Sequence, residues 1–376
     1  MEQWKQDRLI DILDTLIDYR GKTPNKVERG IPLITAKIVK NGRIETPTEF
    51  LPAEEYRDWM VRGYPQVGDV VLTTEAPLGE VAQLKDDKIA LAQRIVCLRG
   101  KEDALDNTYL KYFLMSNIGQ YRLKARETGT TVTGIKQSEL KEVLIDYPNY
   151  ELQQKIASIL SSLDSKIELN RRINDNLEQQ AQALFKAWFV DFEPFKGEKF
   201  VESQLGMIPE GWKVGTLSDL LDIRYGKDHK KLNDGNIPVY GSGGVMRLAD
   251  GILYNGESVL IPRKGTLNNV LYVNCPFWTV DTMFYSIEKV PNVAKYCHLL
   301  LSKLDLASMN SGSAVPSMTT DILNKIQVIV ANQDVFRSFN ECISSLYLKA
   351  KINLDENKQL SETRDLLLPK LMSGGL

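Results

Sequence analysis

Two stretches of this chain carry a helical hydrophobic period over an unusual length. From residue 151 to 189 there is no proline or glycine, and apolar side chains recur at Ile156, Leu160, Leu163, Ile167, Leu177, Ala181, Leu184 and Trp188. With Leu160 as heptad position a, the a positions are Leu160, Ile167, Asn174, Ala181 and Trp188. The d positions are Ile156, Leu163, Asn170, Leu177 and Leu184. The same phase returns near the C-terminus, with Ile343, Ala350, Asn357, Arg364 and Leu371 at a, and Phe339, Leu346, Asn353, Leu360 and Leu367 at d. One such stripe is ordinarily the core-facing side of a surface helix. Two in the same phase, each sustained over roughly five heptads, predict two long helices that pair with each other. Pro369 is expected to end or kink the second near Leu368.

The rest of the chain alternates on the shorter period of strands, broken by turn residues. Val67–Thr73, Ile89–Leu98, Ser258–Pro262 and Asn269–Val273 read as strands, and Asn107–Asn117 and Asn292–Leu304 as short helices. The pattern divides the chain into a mixed domain at 1–150, a long helix at 151–189, a linker at 190–208 containing Pro194, Gly197 and Gly206, a second mixed domain at 209–331 and a second long helix at 332–372. The fold class is α+β.

This division is an internal repeat. Gly129-Thr130-Thr131-Val132 matches Gly312-Ser313-Ala314-Val315 at an offset of 312 − 129 = 183. The offset holds without a gap through Leu140 with Leu323, Ile145 with Val328, Lys166 with Lys349 and Leu184 with Leu367. Upstream the match is looser. Trp4-Lys5 corresponds to Trp212-Lys213, Tyr19-Arg20-Gly21-Lys22 to Arg224-Tyr225-Gly226-Lys227, and Gly68–Leu72 to Gly256–Leu260. The helices are alike and the domains differ.

The offset also pairs Asn170 with Asn353 and Asn174 with Asn357, all four on the heptad seam. A buried asparagine costs stability but specifies register. Helices running antiparallel about a pseudo-two-fold axis would bring the four together as one hydrogen-bonded layer. A helix of about 37 residues spans roughly 55 Å, the length of roughly 16 base pairs of B-DNA.

Composition narrows the chemistry. The 376 residues are 43% hydrophobic with a net charge of −2, enough for two cores and neutral as to nucleic acid. No run approaches the roughly 18 apolar residues of a membrane helix, and the polar start, Met1 to Arg8, is unlike a signal peptide. The four cysteines are scattered and there are two histidines, which fits a reducing cytoplasm and leaves no zinc spacing. No phosphate-binding G-x-x-x-x-G-K-[ST] loop and no dinucleotide fingerprint occur. The Pro-Asp opening of a common nuclease pattern is missing, and Tyr147-Pro148-Asn149-Tyr150 lacks the acid or amide and second proline of an adenine-methyltransferase motif. The chain reads as a binder without catalytic residues or metal.

Basic residues do cluster. Arg20, Lys22, Lys26, Arg29, Lys37, Lys40 and Arg43 lie in one stretch with Glu28 the single acid among them. In the second copy Arg224, Lys227, His229, Lys230 and Lys231 form the parallel cluster, and Arg263-Lys264-Gly265-Thr266 adds another. A charge run is usually a solvated face. Cations on glycine-rich turns, beside a polar loop such as Gly129 to Lys136, are nevertheless what phosphate and base-edge contacts use. The candidate DNA-contacting residues are Arg20, Lys22, Lys37, Thr130, Thr131 and Lys136 in the first copy and Lys227, Lys230, Arg263, Lys264 and Ser313 in the second.

Taken in order, these segments resemble the specificity subunits of type I restriction-modification systems. The carriers are Tyr19-Arg20-Gly21-Lys22-Thr23-Pro24, Ile31-Pro32-Leu33-Ile34, Gly68-Asp69-Val70-Val71-Leu72, Ile208-Pro209-Glu210-Gly211-Trp212, the helix end Phe185 to Phe192, and Leu366 to Gly374. The resemblance spans nearly the whole chain. It implies two target-recognition domains joined by an antiparallel helical pair, each reading one half of a split double-stranded DNA site. It implies as partners two methylation subunits carrying S-adenosylmethionine and two restriction subunits using ATP and magnesium, with no cofactor in this chain. The second loop, Gly312-Ser313-Ala314-Val315-Pro316, is apolar where the first carries threonines, so the two halves are expected to touch DNA differently. The competing readings are a coiled-coil assembly adaptor without DNA contact and a self-sufficient methyltransferase.

Overall fold

A computed structural model describes residues 4–19, 21–129, 133–309 and 317–375. The chain divides into two compact units, one formed by residues 1–170 with 355–376 and the other by 171–354.

The first unit is centred on a four-stranded antiparallel sheet in the order Leu13–Asp18, Ile95–Gly100, Val70–Thr74, Leu78–Gln83. Val70 and Leu72 face a core that includes Leu110, Phe113 and Leu160, while Val71 faces a second core with Leu33, Leu51 and Ile95. Burial on both faces explains the unbroken apolar run at 70–72. The helix Asn107–Met115 is started by the Asp106 carboxylate, which accepts from Tyr109 N at 2.8 Å. The first long helix, Tyr150–Phe189, enters beside it. Buried Gln153 joins the two, with Nε2 donating to Ala104 O (2.9 Å) and Pro148 O (3.0 Å) and Oε1 accepting from Asp106 N (2.9 Å).

The second unit holds a six-stranded sheet in the order Leu221–Tyr225, Met283–Glu288, Tyr254–Pro262, Leu271–Thr279, Ile237–Gly241, Gly244–Ala249. Against it pack the helix Ala294–Lys303 and an aromatic core of Phe185, Phe189, Trp212, Tyr296, Phe336 and Phe339.

The strand and helix expectations need four corrections. The predicted strand Ile89–Leu98 is two strands, Ala90–Leu91 and Ile95–Gly100, because Ala92 N turns to bond Ile34 O on another sheet. The predicted Asn107–Asn117 helix stops at Met115, where Ser116 caps a further helix, Asn117–Lys124. The predicted linker contains a two-stranded hairpin, Phe200–Ser203 with Gly206–Pro209. The second long helix, Gln333–Met372, runs through Pro369. A proline in the last turn removes one backbone bond, and Leu368, Leu371 and Met372 are buried in the first unit's core, which holds the turn in place.

Every predicted seam position is buried or half-buried, and within each unit the two helices run antiparallel. In the first unit Asn170 Nδ2 donates to Asn357 Oδ1 at 3.0 Å, and Arg364 Nη1 to Asp164 Oδ1 at 2.9 Å. In the second, Asn353 Nδ2 donates to Asn174 Oδ1 at 2.8 Å and the rings of Trp188 and Phe339 lie 5.5 Å apart. The asparagines thus bond as two pairs, one per unit. Asn170 Oδ1 and Asn353 Oδ1 are buried without a partner among the described residues, a cost consistent with a register-setting role.

In the second unit His298 Nδ1 sits 2.7 Å from the Tyr347 hydroxyl. Burial lowers the imidazole pKa from 6.5 to about 4, against a smaller opposing effect of the Val270 backbone. The ring is therefore neutral in the folded chain and protonates near 6.5 when unfolded. Its contribution is complete above that value and is lost as pH falls toward about 4. At pH 5 the loss is about 2 kcal/mol, at about 1.4 kcal/mol per pH unit. Urea unfolding of the second unit at pH 7 and pH 5 should show this loss, and His298→Gln should remove it; equal pH losses in both proteins would refute the assignment.

Candidate nucleic-acid interface

In both units the functional candidates gather where a central strand runs out of the sheet and meets a second chain segment. In the first unit the strand Val70–Thr74 continues into Glu75, which forms an antiparallel bridge to Gly134. Ile135 N donates to Thr74 O at 2.9 Å, and Thr128 and Gly134 exchange backbone bonds of 2.8 and 3.0 Å. Both ends of the Gly129 to Thr133 segment are thereby tied to the sheet. Gly134 is needed for this approach, since a Cβ there would stand 2.7 Å from Thr74 O. Ala76, the residue after Glu75, adopts a left-handed φ of 52°.

Around this junction the side chains are polar. Glu75 Oε1 accepts from Arg94 Nε at 2.8 Å, and the neighbouring Gln93 Oε1 accepts from Thr23 Oγ1 at 3.3 Å. Lys22 and Lys136, next to these contacts, are exposed. The Glu75 and Arg94 side chains are 37% and 47% exposed, so their ion pair contributes only about 0.2–1 kcal/mol to stability. Folding alone gives little reason for it.

The second unit repeats the plan with other residues. The strand Tyr254–Pro262 runs into Arg263 and Lys264, and Lys264 forms an antiparallel bridge to Ser317. Met318 N donates to Arg263 O at 2.9 Å and Arg263 N to Thr282 O at 2.9 Å. The Arg263 guanidinium lies over the Tyr225 ring, 5.4 Å from its centroid. Lys227 is held nearby, its N donating to Thr279 O at 2.9 Å and its O accepting from Trp278 Nε1 at 2.9 Å. Gly226 allows this path, because a Cβ there would fall 2.0 Å from Val280 O. Ser242 stands in the next hairpin turn, where its O accepts from Asn269 Nδ2 at 2.7 Å.

Of the sequence candidates, Lys22 and Lys136 each adjoin a residue of the first unit's junction, Thr23 and Ile135. Arg263 and Lys264 lie at the second, with Lys227 two residues from Tyr225. Lys230 is exposed on the same loop as Lys227. Arg20, Thr130, Thr131 and Ser313 lie outside the described residues. Lys37 differs, because it and Lys26 both reach Glu49, at 3.9 and 2.8 Å. Lys40 and Arg43 are likewise met by Glu45. The first basic run is thus partly neutralised by acids just beyond it, which a count ending at Arg43 omits.

Sequence reading missed Glu75, Gln93, Arg94, Tyr225, Ser242 and Asn269. An acid near a proposed DNA face carries no positive signal by itself. The usable clue was the 183-residue offset, which places Gly134 on Ser317.

A duplicated recognition module with paired helices is the class of protein this arrangement defines. The family model for the type I restriction modification DNA specificity domain matches residues 1–179 and again 209–334, and the chain belongs to that family. It is 31% identical over 415 residues to the MjaIX type I restriction enzyme specificity subunit of Methanocaldococcus jannaschii, covering 100% of this chain and 94% of that protein. It is 24% identical to the HindI specificity subunit of Haemophilus influenzae over 77% of this chain and 81% of that one. The crystal structure of a type I restriction-modification S subunit from M. genitalium shares the fold, with a TM-score of 0.56 at 20% identity over 98% of this chain and 96% of its own. No described helix is long and apolar enough to cross a membrane.

Proposed function

We propose that this chain is the DNA-reading subunit of a type I restriction-modification complex, acting in the cytoplasm. Residues 1–150 and 209–331 each read one half of an asymmetric, split site, and the long helices set the unread gap and dock the methylation subunits. The observation that carries this reading is the specificity-domain match occurring twice in one chain. The two strand-end junctions support it, since each presents exposed cations where a second chain segment is bonded to the end of a sheet strand. Docking is supported by the outward faces of the helices. Ile159 and Leu169 in the first unit, and Leu348, Ile352 and Leu354 in the second, are 45–60% exposed, as apolar side chains awaiting a partner are.

In this reading the chain itself is not catalytic. Methyl transfer from S-adenosylmethionine belongs to two methylation subunits, and ATP- and magnesium-dependent cleavage to two restriction subunits. Phosphate contacts supply position and much of the affinity, and base-edge contacts supply sequence.

Co-expression with the methylation partner and mapping of modified bases should reveal one split motif with a fixed gap. In the purified complex, Lys22→Ala and Lys227→Ala should each weaken DNA binding and lower the slope of log affinity against log salt by about one. Unchanged binding in both would favour the assembly adaptor. Binding of S-adenosylmethionine to the isolated chain in calorimetry would favour a self-sufficient methyltransferase.

A further inference from the structure

We infer that Glu75 and Lys264 occupy the same place in the two units and set the identity of one base in each half-site. Glu75 accepts a hydrogen bond from an exocyclic base amine, and Lys264 donates to the major-groove edge of guanine. The inference rests on the DNA-reading function proposed above and adds to it which residues make the halves differ.

The equivalence comes from pairing. Glu75 bridges Gly134 and Lys264 bridges Ser317, and 317 − 134 = 183, the offset that superimposes the loops and the long helices. The backbone bonds agree, since Ile135 N donates to Thr74 O and Met318 N to Arg263 O, again 183 apart. The second strand is one residue longer here than the match of Gly68–Leu72 with Gly256–Leu260 gives. One structural position therefore carries a carboxylate in one unit and an ammonium in the other.

The surroundings fit opposite readouts. A lone carboxylate on a DNA-facing surface would be repelled by phosphates. Arg94, bonded to Glu75 at 2.8 Å, offsets that charge and orients the carboxylate while leaving it more than a third exposed. An oriented carboxylate can accept from the amine of cytosine, and a lysine can donate to O6 and N7 of guanine. Glu75 directly follows a sheet strand and Lys264 lies two residues past one, each held by a bridge to a second segment, so their backbones are held more rigidly than those of a free loop. Lys264 is exposed, with Arg263 beside it drawn onto the Tyr225 ring.

The test uses the complex of this chain with its methylation partner and DNA libraries randomised across the split motif. Glu75→Gln is isosteric and changes an acceptor into a group that prefers adenine. It should alter preference about 10-fold at one position of one half-site, leaving the other half and the gap unchanged. Lys264→Gln should shift one position of the other half away from guanine by a similar factor. Unaltered preferences in both variants, or a uniform loss at all sequences, would overturn the inference while the wild-type split motif upheld the general reading. Absence of a split motif with the wild-type chain would overturn the general reading and this inference with it.

Discussion

Replacing Phe189 by alanine is expected to destabilise the second unit by about 4 kcal/mol and to disable recognition of one half-site. Phe189 is the last residue of the first long helix and is 2% exposed. Its ring centroid lies 4.6 Å from that of Tyr296, 4.9 Å from Phe339, 5.9 Å from Trp212 and 6.1 Å from Phe336. Truncation leaves a cavity where the two long helices meet the sheet-packed helix Ala294–Lys303. Edge-to-face contacts are lost with it, each worth about 0.5–1.5 kcal/mol beyond burial. Trp188 and Trp212 flank the site, so urea unfolding followed by tryptophan fluorescence reports it directly. A midpoint shift equivalent to under about 1 kcal/mol would show that the cluster repacks around the gap.

Asp164→Ala should have the largest effect in the first unit, about 3 kcal/mol. The carboxylate accepts from Lys111 Nζ at 2.8 Å, Tyr112 Oη at 2.7 Å and Arg364 Nη1 at 2.9 Å. The Lys111 side chain is 8% exposed and that of Arg364 15%. Removing the acid leaves Lys111 without its ion-pair partner away from water, while Arg364 keeps Asp365 at 2.9 Å. A buried cation left so costs more than the pair itself contributes. Burial alone would raise the Asp164 pKa, but the Lys111 charge and the hydrogen bonds from Lys111, Tyr112 and Arg364 outweigh it and hold the group below the ordinary carboxylate value. A depressed acid contributes fully above its unfolded pKa and loses that contribution as pH falls through its folded one. Wild-type protein should lose this part of its stability only in strong acid, and Asp164→Ala should lack that loss while being weaker at neutral pH. Equal stabilities at pH 7 in a urea titration would refute the cluster's role. Lys111→Met in the Asp164→Ala background should recover part of the deficit, since it removes the stranded cation.

The same offset that reveals the repeat shows how unlike its seams are. Asp164 corresponds to Tyr347 and Arg364 to Ala181. The first unit ties its helices to its domain with a charged cluster. The second places Tyr347 against His298, and Lys295 bonds Glu257 and Asn340 at 3.0 and 2.8 Å. Equal heptad phase produced equal helix lengths, 40 residues each. It carried no information about the partners that each seam position meets from the domain.

What the sequence determined by itself was whatever depends on local period. The two helices, their shared phase and the four seam asparagines could be read because heptad spacing repeats within a few residues and the offset is free of gaps. The duplication followed from the same regularity. The tertiary structure decided what depends on distant pairing. Glu75 lies 59 residues from Gly134, and Lys264 lies 53 from Ser317, yet each pair closes the junction that presents the candidate base-reading side chains. Strand register across such separations is set by which faces find a core, and that is a property of the whole unit. The acids Glu45 and Glu49, which partly neutralise the first basic run, and the Arg94 that orients Glu75 became visible for the same reason.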